Sequence, residues 1–158
     1  MGNALENDMC KLRIENLLKR ENVQIVTEKV DWSQALCKAI LPLVCQGYVT
    51  QDYLEEIRTA TAEQGAYYVI TPDIALAHAR PDQGVRKNQI SVALFRKPVF
   101  FQGKVHPISL VIALAAENSD DHLEVLSLIS KIFRDVEREE RILCATTEDK
   151  LFNEFLER

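Results

Sequence analysis

Three histidines are the side chains best suited to chemistry in this sequence, and two of them stand where a regular element begins or ends. His78 follows the apolar run Ile74 to Ala77, which predicts a strand that opens into a loop at the histidine. His122 lies in the first turn of a predicted amphipathic helix. An imidazole with an ordinary pKa of about 6.5 is largely neutral near physiological pH. Each histidine therefore suits the role of nucleophile, base or ligand without a large shift of that pKa.

Groups that bind anions accompany both histidines. Arg80 offers a planar fork of donors, and the helix start at His122 offers free N–H groups to a phosphate. If these two places meet in space, they form a small anion site around a histidine. The residues alone leave simpler alternatives open, in which His78 bonds a backbone carbonyl at a strand end and His122 is an ordinary cap-region residue. His106, between Val105 and Pro107, is expected on a surface loop.

Other catalytic classes lack their motifs. Serine catalysis would need a G-x-S-x-G turn and phosphate cradles would need clustered glycines, whereas the five glycines here are dispersed. The cysteines include no C-x-x-C pair and the histidines are scattered, so we expect reduced thiols, no metal and no cofactor. The four cysteines are Cys10, Cys37, Cys45 and Cys144.

Length and composition predict one globular domain. The chain has 158 residues, of which 47% are apolar and 27% charged, and we expect residues 1–10 to form a flexible N-terminal tail and residues 11–158 a single domain. The 19 basic and 24 acidic residues give a net charge of −5, which argues against a general nucleic-acid binder. The polar start carries no signal-peptide core, and the apolar stretch Leu110 to Ala116 is too short to cross a membrane. A cytoplasmic protein is expected.

The charge is unevenly distributed. Between His78 and His106 six basic residues accompany one acidic residue, Asp82. These cations are either solvated loop ends or a source of positive potential beside His78. They are Arg80, Arg86, Lys87, Arg96, Lys97 and Lys104. The run from Asp135 to Arg141 predicts a solvated helix face.

Periodicity predicts alternating helices and strands. One helix begins behind Asp31 as N-cap, with Gln34 placed for a capping box, and ends at Gly47; a second runs from Thr50 to Gly65. Its inward positions are Tyr53, Leu54, Ile57 and Ala60. A later helix is capped by Ser119 or Asp120, and two more follow around residues 136–144 and after the Thr146-Thr147 cap.

The strands fall between these helices. They are predicted around residues 23–26, 66–70, 74–77, 90–95 and 108–115, with residues 96–106, including Pro98, as a connection. The run Ile108 to Ala115 is continuously apolar, so it is expected at the centre of the sheet. Strands interleaved with helices predict an α/β fold with helices on both faces of the sheet.

Two motifs carry a resemblance to a known family. The segment Gly65 to Pro81, GAYYVITPDIALAHARP, resembles the active-site segment of IIA components of the bacterial phosphoenolpyruvate-dependent sugar phosphotransferase system. Within the mannitol/fructose superfamily it is most similar to the ascorbate-type branch, with its pattern G-P-Y-Y-V-x-x-P-x-x-A-x-P-H-[AG]-R-P. The run Asp120-Asp121-His122-Leu123 resembles the second histidine motif. The likeness extends from about Leu12 to the C-terminus.

The resemblance implies a phosphoryl relay on a mixed five-stranded sheet. The phosphocarrier protein HPr would phosphorylate His78, and a cognate IIB component would receive the group during sugar uptake through a IIC permease. His122 would stabilise the phosphoryl group, with phosphate binding assigned to Arg80, Asp82 and Ser119. The substrate would be ascorbate-like or a pentitol or hexitol, and a homodimer is possible. Ala77 stands where the family usually has Pro, and Ala62 where the mannitol-type branch has a site Arg.

Two alternatives stay open from the sequence. One is a regulatory IIA-like module whose phosphorylation state controls a partner protein. The other is an ordinary ligand-binding α/β domain in which the histidines are structural.

Overall fold

The computed structural model describes residues 12–80, 84–101, 104 and 106–156. Helices and strands alternate along this part of the chain, as the periodicity predicts. In chain order they are α1 (Ile14–Leu17), β1 (Leu18–Val26), α2 (Trp32–Cys45), α3 (Gln51–Gln64), β2 (Val69–Thr71), β3 (Ile74–Ala77), β4 (Gln89–Val99), β5 (Ile108–Ala115), α4 (Ser119–Arg134), α5 (Val136–Leu143) and α6 (Glu148–Leu156).

The five strands form one mixed sheet in the order β1-β4-β5-β3-β2, with β5 at the centre as expected. β3 runs parallel to β5, pairing Ala77 with Ala113, while β4 runs antiparallel to β5, pairing Gln89 with Ala115. The ends of β3 and β5 and the start of β4 therefore meet at one edge of the sheet, which we call the histidine edge because His78 follows β3 there.

Helices cover both faces of the sheet, which confirms the predicted α/β architecture. Alternate residues of β5 point to opposite faces, so Val111 and Ala113 pack with α2 and α3, while Leu110 and Ile112 pack with α1, α4, α5 and α6. All four of these side chains are fully buried. The apolar run of β5 is thus explained by burial on two faces.

The boundaries of α2 and α3 agree with the sequence signals. Asp31 accepts a hydrogen bond from the Gln34 N–H at 2.8 Å, and the Gln34 side chain accepts one from the Asp31 N–H at 3.0 Å, completing the capping box. Thr50 and Gly65 flank α3. Gly65 has φ 76°, a conformation that glycine adopts without strain.

β4 is longer than predicted. It continues beyond Phe95, the last residue of the predicted strand, through Pro98 to Val99, where a connection is predicted. The pairing with β5 shifts register between Leu94 and Val99, and such an irregularity accommodates a proline that has no N–H to give to the ladder. Residues 96–98 therefore look like a loop in the sequence, because they contain a proline and two charged residues, although they belong to a strand.

The predicted solvated face of α5 is wrong at one position. Arg138 is only 7% exposed, and its Nε and Nη2 donate to the carbonyl oxygens of Glu154 and Phe155 at 2.8 and 2.7 Å. These carbonyls belong to the last turn of α6, where helix carbonyls lack partners within the helix. Arg138 thus closes the end of α6.

The predicted N-terminal tail, residues 1–10, lies outside the described residues, and the single-domain prediction stays a prediction. Across the described residues, no helix combines the length and apolar character needed to cross a bilayer. The same part of the chain contains no group of three His, Cys, Asp or Glu side chains that could hold a metal ion.

Candidate functional site

His78 and His122 come together at the histidine edge. Their ring centroids lie 5.0 Å apart, with the ring planes inclined by 56°. The fold explains the encounter: β3 and β5 are parallel neighbours, His78 directly follows β3, and His122 lies in the first turn of α4, which follows β5. Both histidines are partly exposed, so a partner molecule can reach them.

His78 is held by a backbone hydrogen bond that fixes its tautomer. Its Nδ1 lies 2.8 Å from the carbonyl oxygen of Leu76. A carbonyl oxygen only accepts, so Nδ1 carries the proton and Nε2 of the neutral ring keeps its lone pair. The rings of Tyr67 and Tyr68 approach the imidazole edge-on, with centroids at 6.4 and 6.5 Å. His78 therefore presents Nε2 as a nucleophilic atom in a fixed orientation.

The surroundings of His122 favour its neutral form. Burial lowers its pKa from the ordinary value, and repulsion between the two imidazoles when both are protonated lowers the pKa further. Its Nδ1 is buried and has no hydrogen-bond partner among the described residues. A negative charge beside the ring would favour the protonated, donating form of His122.

Tyr53 connects the backbones that lead to the two histidines. It is fully buried in the first turn of α3, and its hydroxyl accepts a hydrogen bond from the Ala79 N–H at 3.2 Å and donates one to the Leu114 carbonyl. Burial raises the pKa of Tyr53 above the ordinary value, so the hydroxyl stays protonated. The sequence placed Tyr53 in the core but gave no sign of this bridging role.

Asn88 and Asn118 fix the start of α4. The N-cap is Asn118, whose side chain accepts from the Asp121 N–H at 2.8 Å, and not Ser119 or Asp120 as predicted. Asn88 accepts from the Glu117 N–H at 2.7 Å and donates to the Asp121 carboxylate at 2.8 Å. Several adjacent residues could cap this helix, so the sequence alone could not select Asn118, and Asn88 is distant in sequence.

The predicted phosphate-binding residues are placed unequally. Arg80 is exposed two positions after His78, and Ser119 is the exposed first residue of α4. Asp82 lies outside the described residues. The described chain resumes at Gly84, whose carbonyl accepts a hydrogen bond from the Thr50 N–H at 2.9 Å. Gly84 has φ 95°, and a Cβ there would lie 2.1 Å from the Thr50 Oγ1, so only glycine fits.

The basic residues of the sequence do not form one patch. Arg86 and Lys87 donate their backbone N–H groups to the Tyr48 carbonyl just before β4 begins, which places them with Arg80 toward the histidine edge. Arg96 and Lys97 lie in the last part of β4, at the opposite edge of the sheet. The antiparallel direction of β4 thus carries the later cations away from His78.

Known proteins match the chain along most of its length. The family model described as "Phosphoenolpyruvate-dependent sugar phosphotransferase system, EIIA 2" matches residues 16–158. The mannitol-specific cryptic phosphotransferase enzyme IIA component of Escherichia coli K12 is 29% identical over 140 residues, 89% of this chain and 95% of the relative. The ascorbate-specific PTS system EIIA component of Mycoplasma pneumoniae is 30% identical over 146 residues, 91% of this chain and 92% of the relative.

A solved structure agrees with these matches. The solution structure of the mannitol-specific cryptic phosphotransferase enzyme IIA CmtB from Escherichia coli superimposes with a TM-score of 0.87 at 28% identity. The superposition covers 93% of this chain and 100% of that one. Both the mannitol and the ascorbate names fall within the superfamily that the segment Gly65 to Pro81 resembles.

Proposed function

Because this chain belongs to the EIIA 2 family of the phosphoenolpyruvate-dependent sugar phosphotransferase system, we propose that His78 is its phosphoryl acceptor and that the protein passes the group to a IIB component. The observation that carries the proposal is the pair of histidines with centroids 5.0 Å apart. The bond from His78 Nδ1 to Leu76 supports it further, because it leaves Nε2 free to attack.

In the proposed step, Nε2 of His78 attacks the phosphorus of phospho-HPr. A new N–P bond forms as the N–P bond of the donor histidine breaks, so the transfer needs no cofactor. Phosphoryl transfer depends mainly on alignment and on donors around the equatorial oxygens. His78 is held by Leu76, and His122 stands beside the developing phosphoryl group as a donor. Arg80, Asp82 and Ser119 are proposed to complete the anion site.

Partners and location follow from the same proposal. HPr would be the phosphoryl donor and IIB the phosphoryl acceptor, and the membrane IIC permease would be an indirect partner that transports the sugar. The relay would take place in the cytoplasm. The partial exposure of His78 supports this arrangement, since a macromolecular donor must reach Nε2. A sugar acid or sugar alcohol of the ascorbate or pentitol and hexitol type is proposed as substrate. Relatives named for mannitol and for ascorbate support that range. A homodimer is proposed as well.

The decisive experiment follows label from radioactive phosphoenolpyruvate through purified enzyme I and HPr. Wild-type protein and His106→Ala should accept label equally, because His106 is exposed in the connection between β4 and β5. His78→Ala should accept none. Label on His78→Ala at the wild-type rate would overturn the assignment. Acceptance without onward transfer to any IIB would favour the regulatory alternative.

A further inference from the structure

We propose that Tyr53 is a positioning residue that sets the spacing of His78 and His122 through its buried hydroxyl. The inference rests on the proposed function for its effect on phosphoryl transfer. Its structural part, the control of spacing, is independent of that function.

The geometry carries the argument. The Tyr53 hydroxyl accepts from the N–H of Ala79, the residue directly after His78. It also donates to the carbonyl of Leu114, the next-to-last residue of β5, whose chain continues into α4 and His122. A single oxygen atom therefore joins the loop of one histidine to the strand that leads to the other.

This link restrains the chain just beyond the end of β3, where it is no longer paired with β5. β3 ends at Ala77, so the Ala79 N–H lies beyond the ladder that pairs β3 with β5. Tyr53 itself is fully buried within α3 and packs in the core between α2, α3 and the sheet. Its ring is therefore fixed by packing, and its hydroxyl holds the Ala79 backbone at a fixed distance from β5.

Loss of the hydroxyl should loosen the pair of histidines without emptying the core. Tyr53→Phe keeps the ring but leaves the Ala79 N–H and the Leu114 carbonyl without this partner. We expect the phosphoryl transfer rate at saturating phospho-HPr to fall by ~10-fold or more, because misplacement of a reacting group by about 1 Å is costly. The KM for phospho-HPr should change little, because buried Tyr53 does not touch the partner.

An NMR titration separates positioning from general destabilisation. In Tyr53→Phe the pKa of His122 should move up toward its ordinary value, because the two imidazoles separate and His122 becomes more hydrated. The matched control is Ser91→Ala, which also removes a buried hydroxyl that donates to a backbone carbonyl, that of Ala39. The Ser91 backbone pairs with Ala113 of β5, but the hydroxyl that is removed bonds neither histidine segment. Ser91→Ala should leave both the transfer rate and the His122 titration unchanged.

The outcomes distinguish the two proposals. If wild-type protein accepts label on His78 while Tyr53→Phe keeps both the wild-type rate and the wild-type His122 titration, the Tyr53 inference is wrong and the proposed function stands. If His78 accepts no label, the proposed function fails, and the His122 titration still tests the spacing. Should Tyr53→Phe not fold, hydrogen exchange in wild-type protein decides: the Ala79 amide should exchange slowly, and rapid exchange would overturn the link.

Discussion

The Nδ1 atom of His78 donates a hydrogen bond to the carbonyl oxygen of Leu76, two residues earlier in the chain, at 2.8 Å. The chain thereby uses its own backbone to choose one tautomer of the imidazole, without a carboxylate behind the ring. Nε2 is left as the ring atom with an available lone pair. This relationship predicts the chemistry of the adduct as well as its location.

The phosphoryl group should reside on Nε2 of His78. Phosphorus–proton correlation NMR of the phosphorylated protein should show coupling to the ring protons expected for the Nε2 isomer. The adduct should be labile in acid and stable in base, as a phosphoramidate is. An Nδ1 adduct would mean that the bond to Leu76 is broken before transfer.

Replacing His122 with a side chain that cannot donate a hydrogen bond should slow phosphoryl transfer more than replacing it with one that can. His122→Ala should reduce the rate of label acceptance by ~100-fold, comparable with the loss of one preorganised donor at a developing charge. His122→Gln should recover part of this loss because its amide can still donate. Equal rates for wild type and His122→Ala would remove His122 from the proposed step.

The titration of His122 should depend on His78. In wild-type protein the pKa of His122 should lie below 6.5, chiefly through burial. His78→Ala should raise that pKa only in part, because the contribution of burial remains. Phosphorylation of His78 should raise it, because a negative charge stabilises the imidazolium. Proton NMR across the pH range of the transition measures each shift.

The lowered pKa of His122 also predicts how the free energy of unfolding changes with pH. Between the lowered folded-state pKa of His122 and 6.5, the unfolded chain binds more protons at this residue than the folded chain. The contribution of His122 to the free energy of unfolding therefore rises with pH through this window and falls on acidification. Urea titrations of wild type and His122→Gln should show this pH dependence in the wild type alone.

Asn88 should matter for transfer although it is not adjacent to His78 in sequence. Asn88→Ala removes the partner of the Glu117 N–H and one donor to the Asp121 carboxylate, so the start of α4 should loosen. A loss of about 1–2 kcal/mol in the free energy of unfolding is expected from the broken hydrogen bonds, together with slower label acceptance. Asn88→Asp keeps the acceptor for Glu117 but faces Asp121 with a like charge, so its defect should diminish at high salt.

Arg138 should affect stability without affecting the site. Arg138→Ala leaves two carbonyls at the end of α6 without their charged donor, and we expect a loss of about 3 kcal/mol in unfolding free energy. Arg141→Ala, which breaks an exposed ion pair with Glu154, should leave stability nearly unchanged. Label acceptance measured well below the unfolding temperature should be normal in both variants.

Local signals explain why much of the fold could be predicted. The capping box at Asp31 and Gln34 and the buried run of β5 depend on spacing within a short window, and both match the structure. The predicted end of β4 does not match the structure. Pro98 and its charged neighbours suggest a loop in the sequence, and the shift of register that accommodates the proline depends on a different strand, β5.

Some residues of the candidate site could likewise be predicted from local motifs, and others could not. His78 and His122 could be singled out because motifs surround them in the sequence. The roles of Tyr53 and Asn88 could not, since each acts through a backbone group or a carboxylate brought near only by the sheet. The division of the basic residues between two edges likewise depends on strand direction, which composition does not report.

One helix holds both sides of the loop that follows His78. Tyr53 of α3 binds Ala79, and Thr50 at the start of the same helix binds Gly84. Because Thr50 and Tyr53 are one helical turn apart at the start of α3, the separation of the two anchored points, Ala79 and Gly84, is set by that helix.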